Sequence, residues 1–118
     1  MEIQPTYGIV FNSHLKELYK KGKLKIDRGF YGEKLTKKNV SDEHLICRCF
    51  GGTNDESNIV LTSKEANNLR GNKPIEQFLT YGMIRDYLKN FVDVKVDGFD
   101  GNKYIEGIKK TLEELLSD

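Results

Sequence analysis

The stretch EHLICRCFGGTNDESNIVLTSKEANNLRGNK, residues 43–73, sets Glu43-His44, Gly51-Gly52, Asn58 and Asn67-Asn68 in order over about thirty residues. A carboxylate, an imidazole and carboxamides at this spacing can meet if Glu43-His44 lies on one strand, Asn58 opens a second and Asn67 sits on a helix. One-metal phosphodiester hydrolysis uses such a set. A hard cation such as Mg²⁺ takes oxygen ligands from carboxylate and amide groups, and a neutral imidazole beside it can take a proton from water near pH 7.

The order of these residues resembles the HNH (ββα-metal, His-Me finger) endonuclease motif. The matching parts are Glu43-His44, the apolar pair Leu45-Ile46, Gly51-Gly52, Asn58, and Asn67 followed by Arg70-Gly71. Upstream, the segment Phe30 to Leu35 stands where many family members carry a Cys-Gly-x-x-Leu turn. The resemblance covers about residues 28–74 and leaves a C-terminal helical extension over about 75–118 in a single domain of residues 1–118. It implies an α+β fold, a ββα-metal core with flanking α-helices.

The departures carry information too. Many relatives hold a structural zinc with two Cys-x-x-Cys pairs, but the corresponding positions here are Arg28 and Tyr31, then Ser63 and Ala66, none of them a zinc thiolate. The two cysteines, Cys47 and Cys49, form a Cys-x-Cys pair after His44 and read as small half-buried thiols. No structural zinc is expected, and the flanking helices are expected to brace the core in its place.

By the resemblance, His44 is the general base that deprotonates the attacking water, and Asn58 supports it by bonding backbone across the loop. Glu43 and Asn67 ligate one Mg²⁺, Mn²⁺ or other divalent cation, with Asp42 and Asn68 as the competing neighbours. Arg70, Lys64 and Lys73 contact phosphate. The implied function is metal-dependent DNA endonuclease, with a catalytically inactive HNH-fold module for DNA binding or protein interaction as the alternative. The implied partner is double-stranded DNA. Phage or mobile-element origin fits the resemblance, while target sequence, DNA versus RNA preference and oligomeric state stay open.

The formal net charge is only +1, but residues 14–38 hold nine Lys or Arg against three acids. This asymmetry predicts a basic face that includes Lys20, Lys21, Lys23 and Lys25 and meets phosphates. No apolar run reaches the roughly 18–20 residues needed to cross a bilayer. The opening residues lack a secretory pattern, so no membrane partner and a cytoplasmic location are expected, in the host cell if the chain is phage encoded.

The positioning elements follow from local chemistry. Asn12-Ser13 caps a helix through Leu15, Leu18 and Tyr19 that stops at Gly22. Lys23 to Ile26 alternates like a short strand, and Arg28 to Lys38 is a basic connector. Strands are expected over about Glu43 to Cys49 and Ile59 to Leu61, with an irregular loop from Phe50 to Ser57. Thr62 or Ser63 caps a helix bearing Asn67 and Arg70. Apolar stripes predict a helix from near Pro74 to Phe91 and another from Tyr104 to Leu116. Between them Val92 to Asp97 reads as a short exposed strand or turn, not a calcium loop, since Lys95 and Tyr104 occupy ligand places.

Overall fold

The structure, a computed structural model, describes residues 11–71 and 73–116. Residues 1–10, where no secretory leader is expected, lie outside the described residues. Helix α1, His14–Lys20, begins where the Ser13 Oγ accepts the Lys16 N–H at 2.9 Å, the expected serine cap. It buries Leu15 and Leu18. The segment Lys23 to Ile26 is not a strand: Leu24 and Ile26 do turn inward alternately, yet no ladder forms, and the nearest isolated bridge joins Arg28 to Lys34. Period-two burial therefore marks an extended chain here without a pairing partner.

Strands β1, Val40–His44, and β2, Ile59–Ser63, pair antiparallel, with Val40 opposite Ser63 and His44 opposite Ile59. β1 ends five residues before the expected Cys49. The reason is a substitution of partners: Leu45 N–H still reaches the Asn58 carbonyl at 2.9 Å, but both backbone groups of Ile46 bond the Asn58 side chain instead of a strand. The ladder cannot continue past them.

The far edge of β2 is covered by side chains and loop backbone. Leu61 N–H donates to the Tyr87 hydroxyl at 3.0 Å, Tyr87 donates to Tyr104 at 2.9 Å, and Tyr104 donates to the Ile59 carbonyl at 2.7 Å. The Phe30 N–H takes the Leu61 carbonyl at 2.8 Å, and the Glu33 carboxylate accepts the Ser63 N–H at 2.7 Å. Four edge groups of a two-stranded sheet are thus paired by the connector and the C-terminal helices, leaving no open edge along Ile59 to Ser63.

Helix α2, Lys64–Arg70, follows β2 without a loop; Ser63 Oγ accepts the Ala66 N–H at 3.0 Å, and Gly71 ends it. The single helix expected from Pro74 instead splits into a 3₁₀ turn, Ile75–Gln77, and helix α3, Tyr81–Lys89. Thr80 is extended and its hydroxyl caps the Met83 N–H, which starts a new helix rather than continuing the old one. Strands β3, Lys95–Val96, and β4, Phe99–Asp100, form a hairpin. Its turn residues Asp97 and Gly98 both have positive φ, 47° and 85°, the pattern of a two-residue type I′ turn. Helix α4, Gly101–Leu116, starts earlier than its apolar stripe suggests because the Asp100 carboxylate accepts the Asn102 and Lys103 N–H groups.

The described chain is therefore α+β, with two small antiparallel sheets and four α-helices. One core joins Leu15, Phe30, Leu45, Leu61, Phe91 and Ile108, all fully buried; burying each such side chain contributes about 1.5–3 kcal/mol. Phe91 packs its ring 4.7 Å from that of Tyr104, which ties α4 to the end of α3. No helix among the described residues is long and apolar enough to cross a membrane.

Candidate functional site

Side chains alternate along β1, so Ser41 and Glu43 share one face while Asp42 and His44 share the other. The first face meets α2. Asn67 Nδ2 donates to Ser41 Oγ and to the Asp42 carbonyl, both at 3.0 Å. Glu43 is 4 % exposed; its Oε2 accepts the Tyr31 hydroxyl at 2.8 Å and lies 3.4 Å from Arg70 Nη1. Asp42 is turned to α1, where it accepts the Ser13 N–H and hydroxyl and lies 3.6 Å from Lys16 Nζ. Asn68 is exposed. Glu43 and Asn67 consequently belong to one surface, and their two sequence neighbours do not.

Burial pushes the Glu43 carboxyl above its ordinary value even though the Tyr31 hydrogen bond and the Arg70 guanidinium pull it down. Tyr31 is raised as well, by burial and then by the Glu43 charge. Its charged form thus carries a desolvation penalty that its protein partners only partly offset. Asn67 Oδ1 accepts no hydrogen bond among the described residues. Both are hard oxygen donors. Among the described residues no three His, Cys, Asp or Glu side chains gather as a metal-holding group, so any cation here would take its other ligands from water or a bound anion.

Arg70, expected to contact phosphate, sits elsewhere: it is 4 % exposed and donates to the carbonyls of His44 at 2.6 Å, Leu45 at 3.1 Å and Lys73 at 3.0 Å. It ties the end of α2 to the end of β1. With its nitrogens committed to these carbonyls and to Glu43, it offers no guanidinium to a ligand at the surface.

His44 occupies the opposite face, half-buried, with its ring 5.8 Å from that of Phe11. No hydrogen bond joins it to Glu43 or Asn67 among the described residues. Its Nε2 lies 2.8 Å from Asn54 Oδ1. An amide oxygen only accepts, so Nε2 is the donor of this pair, and in the neutral ring Nδ1 then carries the lone pair. That tautomer leaves Nδ1 able to accept a proton.

The loop that brings Asn54 to His44 is held by Asn58, 4 % exposed. Its Oδ1 accepts the Ile46 N–H at 2.8 Å, and its Nδ2 donates to the carbonyls of Ile46 at 3.1 Å and Thr53 at 2.8 Å. One carboxamide thereby joins both arms of the loop. Gly52 makes the closure possible, since a Cβ there would stand 1.7 Å from the Ile46 carbonyl oxygen. Tyr104 from α4 and Thr111, whose hydroxyl donates to the Ser57 carbonyl at 2.7 Å, fix the far end of the loop.

Lys64 and Lys73 are exposed, as are Lys20, Lys21, Lys23 and Lys25. Lys23 is not an unengaged cation: its Nζ lies 2.8 Å from Asp97, whose carboxyl it holds below the usual range. Lys16 is buried against Asp42, so the basic N-terminal third presents fewer charges than its composition promises. Two site residues escaped the sequence reading: Tyr31 lies in the connector twelve positions before Glu43 and Asn54 in a turn ten positions after His44, and neither carries a local signal of its distant partner. Comparison of the chain with family models, with curated proteins and with solved structures finds no match.

Proposed function

We propose that the unit formed by β1, its loop, β2 and α2 is a ββα-metal core and that the chain is a metal-dependent endonuclease acting on DNA. The observation that carries this reading is the Asn58 clamp. One buried carboxamide joins the two arms of the loop between His44 and Ile59, Tyr104 and Thr111 hold its far end, and what that shape delivers is Asn54 to His44. Rigid support of one imidazole tautomer is what a general base requires and what a surface histidine does not.

In this reading Nδ1 of His44 takes the proton of the attacking water, while Asn54 keeps the Nε2 proton in place. Glu43 and the Asn67 Oδ1, on the other face of β1 from His44, would hold a Mg²⁺ or Mn²⁺ ion, which when bound stabilises charge on the phosphate and the departing oxygen. The reading requires that phosphate to reach both faces at the end of β1, where the ladder stops. Tyr31 and Arg70 keep the Glu43 carboxylate directed under α2. Exposed lysines, Lys20, Lys21, Lys25, Lys64 and Lys73, supply sequence-independent phosphate contacts. Arg70 is a structural tie in this scheme.

A second reading, a binding module without catalysis, is favoured by one observation: Glu43 already has Tyr31 and Arg70 as buried partners, an arrangement that also suits a purely structural carboxylate. Incubation of supercoiled plasmid with the protein separates the two. Conversion to open-circle or linear DNA with Mg²⁺ or Mn²⁺, and none with EDTA, supports the nuclease; DNA retention without conversion in any metal supports the module.

A further inference from the structure

The Cys47-Arg48-Cys49 turn lies just outside the Asn58 clamp and plays no part in the proposed chemistry. Cys47 is extended and opens the 3₁₀ turn Arg48–Phe50. Its carbonyl accepts both the Phe50 N–H at 2.8 Å and the Gly52 N–H at 3.0 Å, and the Gly51 N–H reaches the Arg48 carbonyl at 3.1 Å. On its other side Ile46 is bonded through both backbone groups to Asn58. The turn is therefore fixed from both directions. Its reversal brings the two Sγ atoms to 2.6 Å, a separation at which little movement is needed for them to react with each other. Cys49 is exposed and Cys47 half-buried, so a small reagent can reach the pair.

We propose that Cys47 and Cys49 form a dithiol site that exchanges with small disulfides of the glutathione type and closes to an intramolecular Cys47–Cys49 disulfide. The roles of the two thiols differ. The hydrogen bond from Cys49 pulls the Cys47 thiol down, and the same contact pushes Cys49 up, so Cys47 ionises first and is the attacking sulfur. Its thiolate attacks one sulfur of the disulfide R–S–S–R, forming Cys47–S–S–R and expelling one thiolate R–S⁻, which takes up a proton. Cys49 then loses its proton to solvent and attacks the Cys47 sulfur, expelling the second R–S⁻. The protein loses two protons and two electrons, and the small disulfide takes them up to become two thiols. This site does not depend on the nuclease reading, because neither thiol touches the phosphodiester chemistry.

The test uses the full chain, reduced and desalted, equilibrated with oxidised glutathione, quenched in acid, treated with a maleimide and weighed intact. A sulfur held in contact has an effective concentration well above that of a flexible tether, so in about 1 mM glutathione the closed form should exceed the mixed adduct by at least about tenfold. The expected product is two hydrogens lighter than the starting chain and takes no maleimide. The Cys49→Ser variant should stop at a single glutathione adduct on Cys47, and Cys47→Ser should react more slowly than Cys49→Ser. Wild-type protein that still takes two maleimides, that accumulates glutathione adducts, or that links into dimers overturns the proposal without reference to either variant.

Discussion

Replacing Asn58 by Ala removes three hydrogen bonds at once, to the Ile46 N–H, the Ile46 carbonyl and the Thr53 carbonyl. At a net ~0.5–1.5 kcal/mol each, the loss is about 3 kcal/mol, and more if the Ile46 groups stay dry once orphaned. That is a large part of the ~5–15 kcal/mol available to a domain of this kind. With a urea dependence of roughly 1–3 kcal/mol per molar, the unfolding midpoint should fall by about 1–3 M. Asn58→Asp, nearly isosteric, decides whether bonds or packing are responsible. A carboxylate keeps the acceptor for the Ile46 N–H but turns an oxygen toward two carbonyl oxygens, so it should cost at least as much as Ala. Urea titration followed by circular dichroism measures both variants. A loss below about 1 kcal/mol for Ala, or an Asp variant as stable as the wild type, would refute the clamp as the loop's organiser.

Other expectations rest on single side chains. The raised Glu43 carboxyl holds its proton to higher pH in the folded state than in the unfolded one, so its contribution is fully present below about pH 4 and is lost as pH rises through the folded value. The stability of wild type relative to Glu43→Gln should accordingly decline between about pH 4 and neutrality in urea titrations, and a rising difference would contradict the burial argument. Asn54→Ala removes the acceptor that fixes the Nε2 proton; nitrogen NMR of the His44 ring should show mixed tautomers and plasmid nicking should drop about tenfold, the equivalent of roughly 1.4 kcal/mol. An unchanged tautomer would remove Asn54 from a positioning role. Joint replacement of Lys20, Lys21 and Lys25 by Gln should flatten the salt dependence of DNA binding by up to about 0.9 in log–log slope for each phosphate no longer neutralised, and more than Lys23→Gln alone, since Lys23 already pairs with Asp97. An unchanged slope would move the DNA to Lys64 and Lys73.

Features marked by local chemistry could be read from the chain alone. Ser13 and Ser63 cap helices because a hydroxyl three residues ahead of an N–H needs no tertiary context, and the reversal after Val96 follows from Asp97-Gly98 accepting positive φ. Features set by distant partners could not. β1 stops at His44 because a side chain fourteen residues away takes the place of a strand, and no periodicity within Leu45 to Cys49 reports that. The helix expected from Pro74 breaks because Thr80 caps, although the apolar stripe from Ile75 to Phe91 shows only a weak point at Gly82 and no stop at Thr80. Arg70 looked like a surface cation from its place beside Gly71, and it is buried by carbonyls at the end of β1 that only the folded chain gathers. Lys23 to Ile26 alternates correctly yet lacks a neighbour to pair with, since burial period and strand pairing are separate physical requirements.

The most direct measurement is metal-dependent nicking of supercoiled plasmid by wild type and His44→Ala side by side, with folding of the variant checked by circular dichroism. The account predicts conversion by the wild type with Mg²⁺ or Mn²⁺, none with EDTA, and a loss of at least about 10²-fold in the folded variant, the lower range for a positioned general base. Equal nicking by a folded His44→Ala protein, or no conversion by the wild type in any divalent metal, would contradict it.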